Sequence, residues 1–147
     1  MKLYKIEVYR IRQQGLLPLL IRLAPILTFQ APTYYNHVLI KYKDYFYELD
    51  CGVLGVHQFH ESSFPKTWEK TFSFEFETIV HPTIKGLKYS QWANISWFLW
   101  NIPIFGILFK KIIKTRFNTN CCGYISYLLQ DKNFCYLHPN QFVSPKK

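Results

Sequence analysis

The chain carries four cysteines, Cys51, Cys121, Cys122 and Cys135, and Cys121 stands in the context that best suits chemistry. A nucleophilic thiol must be held as thiolate in an electropositive spot, often a helix N-terminus. It needs a histidine to take its proton, and that histidine needs a polar group to fix its tautomer. Cys121 stands where a helix over Cys121 to Leu129 should begin, capped from Thr119 or Asn120. His37 opens a strand, Asn36 to Tyr42, and Glu48 lies on the following strand, Tyr45 to Leu49, within reach of the imidazole. Asp50 is the substitute for Glu48 in that role. Cys122 is one helical step from Cys121, and neighbouring side chains on a helix diverge by about 100°, so one of the two can face His37. Cys51 and Cys135 lack such a context and read as structural.

The remaining histidines suit other roles. His57 and His60 are three apart in a loop or strand, which is not the spacing of a helix-face ligand pair, and no second pair complements them. No metal site is expected from them, and no cofactor is implied. His81 and His138 each precede a proline and read as turn residues. For a developing oxyanion, the backbone N–H of Cys121 at the helix N-terminus is one donor, and the Tyr35 hydroxyl is a candidate second.

The elements that must position these groups follow from periodicity. Leu3 to Ile11 alternates and is rich in β-formers, so it reads as a strand. Gly15 breaks it, and Leu16 to Leu23 reads as a short apolar helix with Pro18 near its first turn. The Lys43-Asp44 step joins the two strands bearing His37 and Glu48 into a hairpin. Cys51 to Val56 continues that hairpin or bends away at Gly52 and Gly55. Thr71 to Val80 sets Phe72, Phe74 and Phe76 against Ser73, Glu75 and Glu77, the pattern of a half-buried strand. Helices are expected over Tyr89 to Trp100 and Ile107 to Lys114, and an extended tail over Tyr136 to Pro145.

The length of 147 residues suits one domain with a real core, and 49% hydrophobic with 19% aromatic content excludes global disorder. The net charge of +9 attracts anionic partners but is spread out, so nucleic-acid binding is not expected from it. The cysteine spacing suggests free thiols in a reducing compartment, and the N-terminus lacks the features of a secretory signal, which points to the cytoplasm. Trp92 to Phe109 is an uncharged run followed by Lys110, Lys111, Lys114 and Arg116. It reads first as a buried helix pair over the sheet. Its Trp-rich, lysine-flanked makeup also suits an anionic membrane surface over Trp92 to Arg116, while a membrane span is the least suited reading.

The segment Asn120-Cys121-Cys122-Gly123-Tyr124-Ile125-Ser126-Tyr127 resembles the nucleophile motif of NlpC-type papain-like cysteine hydrolases. The run Asn36-His37-Val38-Leu39-Ile40 followed by Tyr45-Phe46-Tyr47-Glu48 is similar to their histidine hairpin. Here the histidine precedes the cysteine, as in the circularly permuted branch, which includes lecithin-retinol acyltransferase-like enzymes and small phage and bacterial members. Gly15, Leu20-Ile21-Arg22, Tyr35-Asn36-His37-Val38, Gly55-Val56 and the tail from Leu137 to Pro145 also look like that branch. The resemblance covers roughly residues 1–60 and 115–145. It implies an α+β fold, a permuted papain-like domain over 1–147 with an antiparallel sheet packed on the helix bearing the nucleophile and an aromatic-rich insertion at about 61–114. Its motif register selects Cys121 over Cys122, so Cys122→Ser should leave Cys121 reactivity nearly intact.

The implied activity is that of a cysteine peptidase or amidase, a hydrolase acting on an amide or ester through Cys121, His37 and Glu48. Two alternatives accompany it. One is a membrane-associated lipid acyltransferase or thioesterase on the same fold. The other is a non-catalytic binding protein that retains the fold.

Overall fold

The computed structural model describes residues 2–28, 31–49, 55–84, 87, 89 and 120–130. The helices expected between 90 and 114, the extended tail, and Asp50, Cys51, Cys135 and His138 lie outside the described residues. Among the described residues the architecture is α+β. Strands β1 (Tyr4–Arg12), β2 (His37–Tyr42), β3 (Tyr45–Leu49), β4 (Val56–His60) and β5 (Glu69–Thr78) accompany helices α1 (Leu16–Leu23) and α2 (Cys121–Leu129). All five strands form one antiparallel sheet in the order β4-β3-β2-β1-β5.

Strand β1 lies inside the sheet, between β2 and β5, and buries Ile6 and Val8 on one face and Ile11 on the other. It pairs with β2 on one side, Val8 opposite Ile40 and Ile11 opposite His37. On the other side it pairs with β5, where the register shifts between Val8 and Tyr9, so that Val8 faces Phe74 while Tyr9 faces Phe72. This irregularity lets one aromatic strand feed both layers. The β2–β3 turn holds Lys43 at φ 55, a left-handed conformation that the tight reversal requires. Strand β5 runs two residues earlier than the alternation suggests, and β4 extends the meander beyond Gly55, which takes φ 93.

One sheet face buries Ile6, Val8, Val38, Ile40, Tyr47, Leu49 and Phe74 against Cys122, Tyr124, Ile125 and Leu128 of α2. Each aliphatic side chain so buried contributes roughly 1.5–3 kcal/mol. The other face buries Ile11, Leu39 and Phe46 under Tyr9, Phe59, Phe64 and Trp68. Two polar ties fix α2 to the sheet side. The buried Tyr124 hydroxyl donates to the Pro82 carbonyl at 2.7 Å, and the Thr78 hydroxyl donates to the Leu128 carbonyl at 2.7 Å. Helix α1 differs: none of its residues is buried, and Leu16, Leu17, Leu19, Leu20 and Leu23 are all exposed. Among the described residues no helix is long and apolar enough to cross a membrane.

Candidate active site

Helix α2 starts where its capping chemistry dictates. Asn120 is extended (φ −124, ψ −174), and its side-chain oxygen accepts the Gly123 N–H at 2.7 Å. This satisfies one of the donors that every helix N-terminus leaves over. The cap places Cys121 in the first turn, where the backbone dipoles favour an anion. Cys121 is buried, as is its neighbour Cys122, and their sulfurs lie 3.9 Å apart.

The start of β2 is held just as firmly. The Asn36 N–H donates to the Ile11 carbonyl at 3.1 Å. The Asn36 side chain, itself buried, accepts the Gln13 N–H and donates to the Gln13 side-chain carbonyl, each at 2.8 Å. His37 therefore leaves a fixed backbone. Its ring is buried, with the Trp68 ring edge-on at 6.4 Å between centroids. His37 Nε2 lies 3.0 Å from Glu48 Oε2. The Cys121 thiol is within hydrogen-bonding reach of His37 and also accepts from the Val38 amide. With Nε2 engaged by Glu48, Nδ1 is the ring nitrogen left to exchange a proton with sulfur.

The charges in this cluster reinforce one another. The Cys121 thiol is shifted well below its usual range. The Cys122 thiol donates to it, burial opposes the shift, and the His37 charge and hydrogen bond and the Val38 amide add to it. At His37, burial disfavours the imidazolium, but the Cys121 thiolate and then the Glu48 carboxylate outweigh burial and raise its pKa to about 10. At Glu48, burial pushes the carboxyl up, yet hydrogen bonds and charge from His37 and His57 hold it below the ordinary range. A buried charge costs several kcal/mol unless paired. Each hydrogen bond to a charged group returns about 1.5–3 kcal/mol, which is why both carboxylate oxygens are occupied.

The structure thus brings together Cys121, His37 and Glu48, which come from α2, β2 and β3. Cys122 lies beside Cys121: its sulfur is 3.9 Å from that of Cys121, and both side chains are buried in the core that α2 shares with the sheet. Tyr35 is engaged elsewhere. Its hydroxyl donates to Thr71 Oγ1 at 2.9 Å, and the Arg10 guanidinium lies 4.8 Å from its ring centroid. That hydroxyl is tied to β5 rather than to Cys121, so the Cys121 N–H is the better-placed oxyanion donor of the two.

His57 and His60 separate along β4, as the strand alternation requires. His57 Nδ1 lies 3.0 Å from Glu48 Oε1, while His60 Nδ1 lies 2.8 Å from Ser62 Oγ. Among the described residues no group of three or more His, Cys, Asp or Glu is arranged to hold a metal ion. The His57–Glu48 contact is the part that sequence reading missed; the signal available was the next β-strand, whose register sets His57 opposite Glu48.

Chemically, a buried thiolate–imidazolium pair oriented by a carboxylate can attack an electrophilic carbonyl and shuttle one proton. Comparison of the chain with protein-family models, with curated proteins and with solved structures returns no match.

Proposed function

We propose that this chain is a thiol-dependent hydrolase of the peptidase or amidase kind, built as a permuted papain-like domain. The observation that carries the reading is the contact between Cys121 at the N-terminus of α2, His37 at the start of β2, and Glu48 on β3. The order of these elements, histidine hairpin before nucleophile helix, is the permuted order.

In this reading the Cys121 thiolate attacks an amide or ester carbonyl carbon, and the carbonyl electrons move onto oxygen. The oxyanion forms next to the Cys121 N–H, in the first turn of α2. His37 then passes its proton to the departing nitrogen or oxygen, the C–N or C–O bond breaks, and a thioester remains on Cys121. Water enters, loses a proton to His37 and attacks the thioester. Collapse releases the carboxylic acid and restores the ion pair. Glu48 keeps the imidazole ring in place and stabilises its charge without taking the proton.

The test is site-resolved alkylation by iodoacetamide. At about pH 6, where an ordinary thiol is protonated, Cys121 should react fastest of the cysteines, and His37→Ala should abolish that preference. An ordinary thiol profile at Cys121, unchanged by His37→Ala, sinks the enzymatic reading in favour of a non-catalytic binding protein. Peptide, ester and thioester electrophiles, mapped to the modified residue, then identify the acyl class.

A second reading is favoured by one observation. The five exposed leucines of α1 form an apolar surface on a strongly basic chain. This supports a lipid-directed acyltransferase or thioesterase working at an anionic membrane surface with the same three residues.

A further inference from the structure

Glu48 makes two hydrogen bonds, and only one of them goes to the histidine beside the nucleophile. Oε2 meets His37 Nε2 and Oε1 meets His57 Nδ1, both at 3.0 Å. Glu48 and His57 are directly opposed across β3 and β4, so the second contact is a cross-strand pair set by sheet register. The Glu48 side chain is 5% exposed and that of His57 is 44% exposed. A carboxylate fixed through one oxygen can still turn about its last side-chain torsion. Fixing both oxygens from two different strands sets its plane. The plane of Glu48 in turn sets the His37 ring, and the ring sets which nitrogen faces Cys121. The His57 ring is itself steadied against Phe59, with centroids 5.6 Å apart.

We propose that His57 is a positioning residue for the thiol site, acting through Glu48 and touching neither thiol nor substrate. The site is then a four-member chain, Cys121, His37, Glu48 and His57, running from the buried sulfur to the protein surface. The proposal rests on the thiol reading above. It requires His57 to carry a proton on Nδ1, because a bare nitrogen would repel the carboxylate. Among the described residues Val56 to His60 form an edge strand, so the half-exposed ring can be altered with little loss of core.

The experiment uses the full chain and four proteins: the wild type, His37→Ala, His57→Ala and His57→Asn. Asparagine places an amide N–H close to where imidazole Nδ1 stood. Iodoacetamide alkylation of Cys121 is measured at about pH 6, site by site. His57→Ala should slow Cys121 about tenfold, the size of effect expected when one hydrogen bond to a charged group is lost. His57→Asn should recover most of that rate, which a role in strand stability alone would not produce. In the unaltered protein, NMR of the ring nitrogens should find a proton on His57 Nδ1, a readout that holds even if a variant fails to fold. Wild-type rates in His57→Ala, equal slowing in both His57 variants, or a bare His57 Nδ1 each overturn the proposal. Those outcomes with a fast, His37-dependent Cys121 leave the thiol reading standing. An ordinary Cys121 profile in the wild type, insensitive to His37→Ala, overturns both.

Discussion

Cys121→Ser exchanges a thiol that ionises for a hydroxyl that does not, and the resulting change in stability should depend on pH with a defined shape. Two groups set it. The His37 pKa is raised on folding from 6.5 to about 10. Its contribution is therefore complete below pH 6.5 and is lost as pH rises toward about 10. The Cys121 pKa is lowered from 9.0. Its contribution is complete above pH 9.0 and is lost as pH falls toward the folded thiol's own pKa. Between 6.5 and 9.0 the two slopes oppose and cancel, because the folded ion pair and the unfolded thiol with neutral imidazole bind the same number of protons. Below that window, down to the folded thiol's own pKa, the unfolded chain takes up one more proton than the folded one. Above it, the unfolded chain holds one fewer. On each side stability falls by about 1.4 kcal/mol per pH unit per proton. Glu48, whose carboxyl is held below 4.5, adds no slope in this range, since its contribution is lost only at more acid pH. Urea unfolding of wild type and Cys121→Ser, under reductant at about pH 5.5, 7.5 and 9.5, gives the difference profile, and subtraction removes the other titrating groups. The wild type should gain most over the variant at the middle pH. A difference that stays constant across the three values refutes the thiolate–imidazolium pair.

Cys122→Ala should remove the donor 3.9 Å from the Cys121 sulfur and slow Cys121 alkylation at about pH 6 about threefold, whereas Cys122→Ser, which retains a donor, should be milder; equal rates in both variants and the wild type would deny Cys122 any part in holding the thiolate. If the exposed leucines of α1 meet lipid, Leu16→Ser combined with Leu20→Ser should weaken flotation with anionic liposomes about tenfold, and unchanged flotation would remove α1 from the membrane reading.

The parts of the site that were legible in sequence are those governed by local rules. Asn120 before Cys121 is a capping residue, so the helix start and the thiol's place in the first turn follow from residue type. The hairpin bearing His37 and Glu48 follows from β-formers on either side of a two-residue break. What escaped depends on pairing between segments. The sequence Val-His-Gln-Phe-His is half polar, so β4 gives a weak strand signal, and only its register places His57 opposite Glu48. Tyr35 is next but one to His37 in the chain, yet its hydroxyl reaches Thr71 because the side chain crosses over Arg10 of β1 to β5, a contact that no local pattern encodes.

The cross-strand meander β2–β3–β4 gives the two halves of the site unequal routes to assembly. Glu48 meets His57 across one short connection and His37 across a two-residue turn. Cys121 lies about three doublings of chain length further from Glu48 than His57 does. At about 0.6 kcal/mol per doubling, closing that larger loop costs about 2 kcal/mol more in chain entropy. The histidine–carboxylate–histidine part can therefore form from neighbouring hairpins alone, and the thiol joins it only when α2 docks through Tyr124 and Leu128. Until then the carboxylate can hold both its partners, while the cysteine, without the imidazolium, is an ordinary thiol.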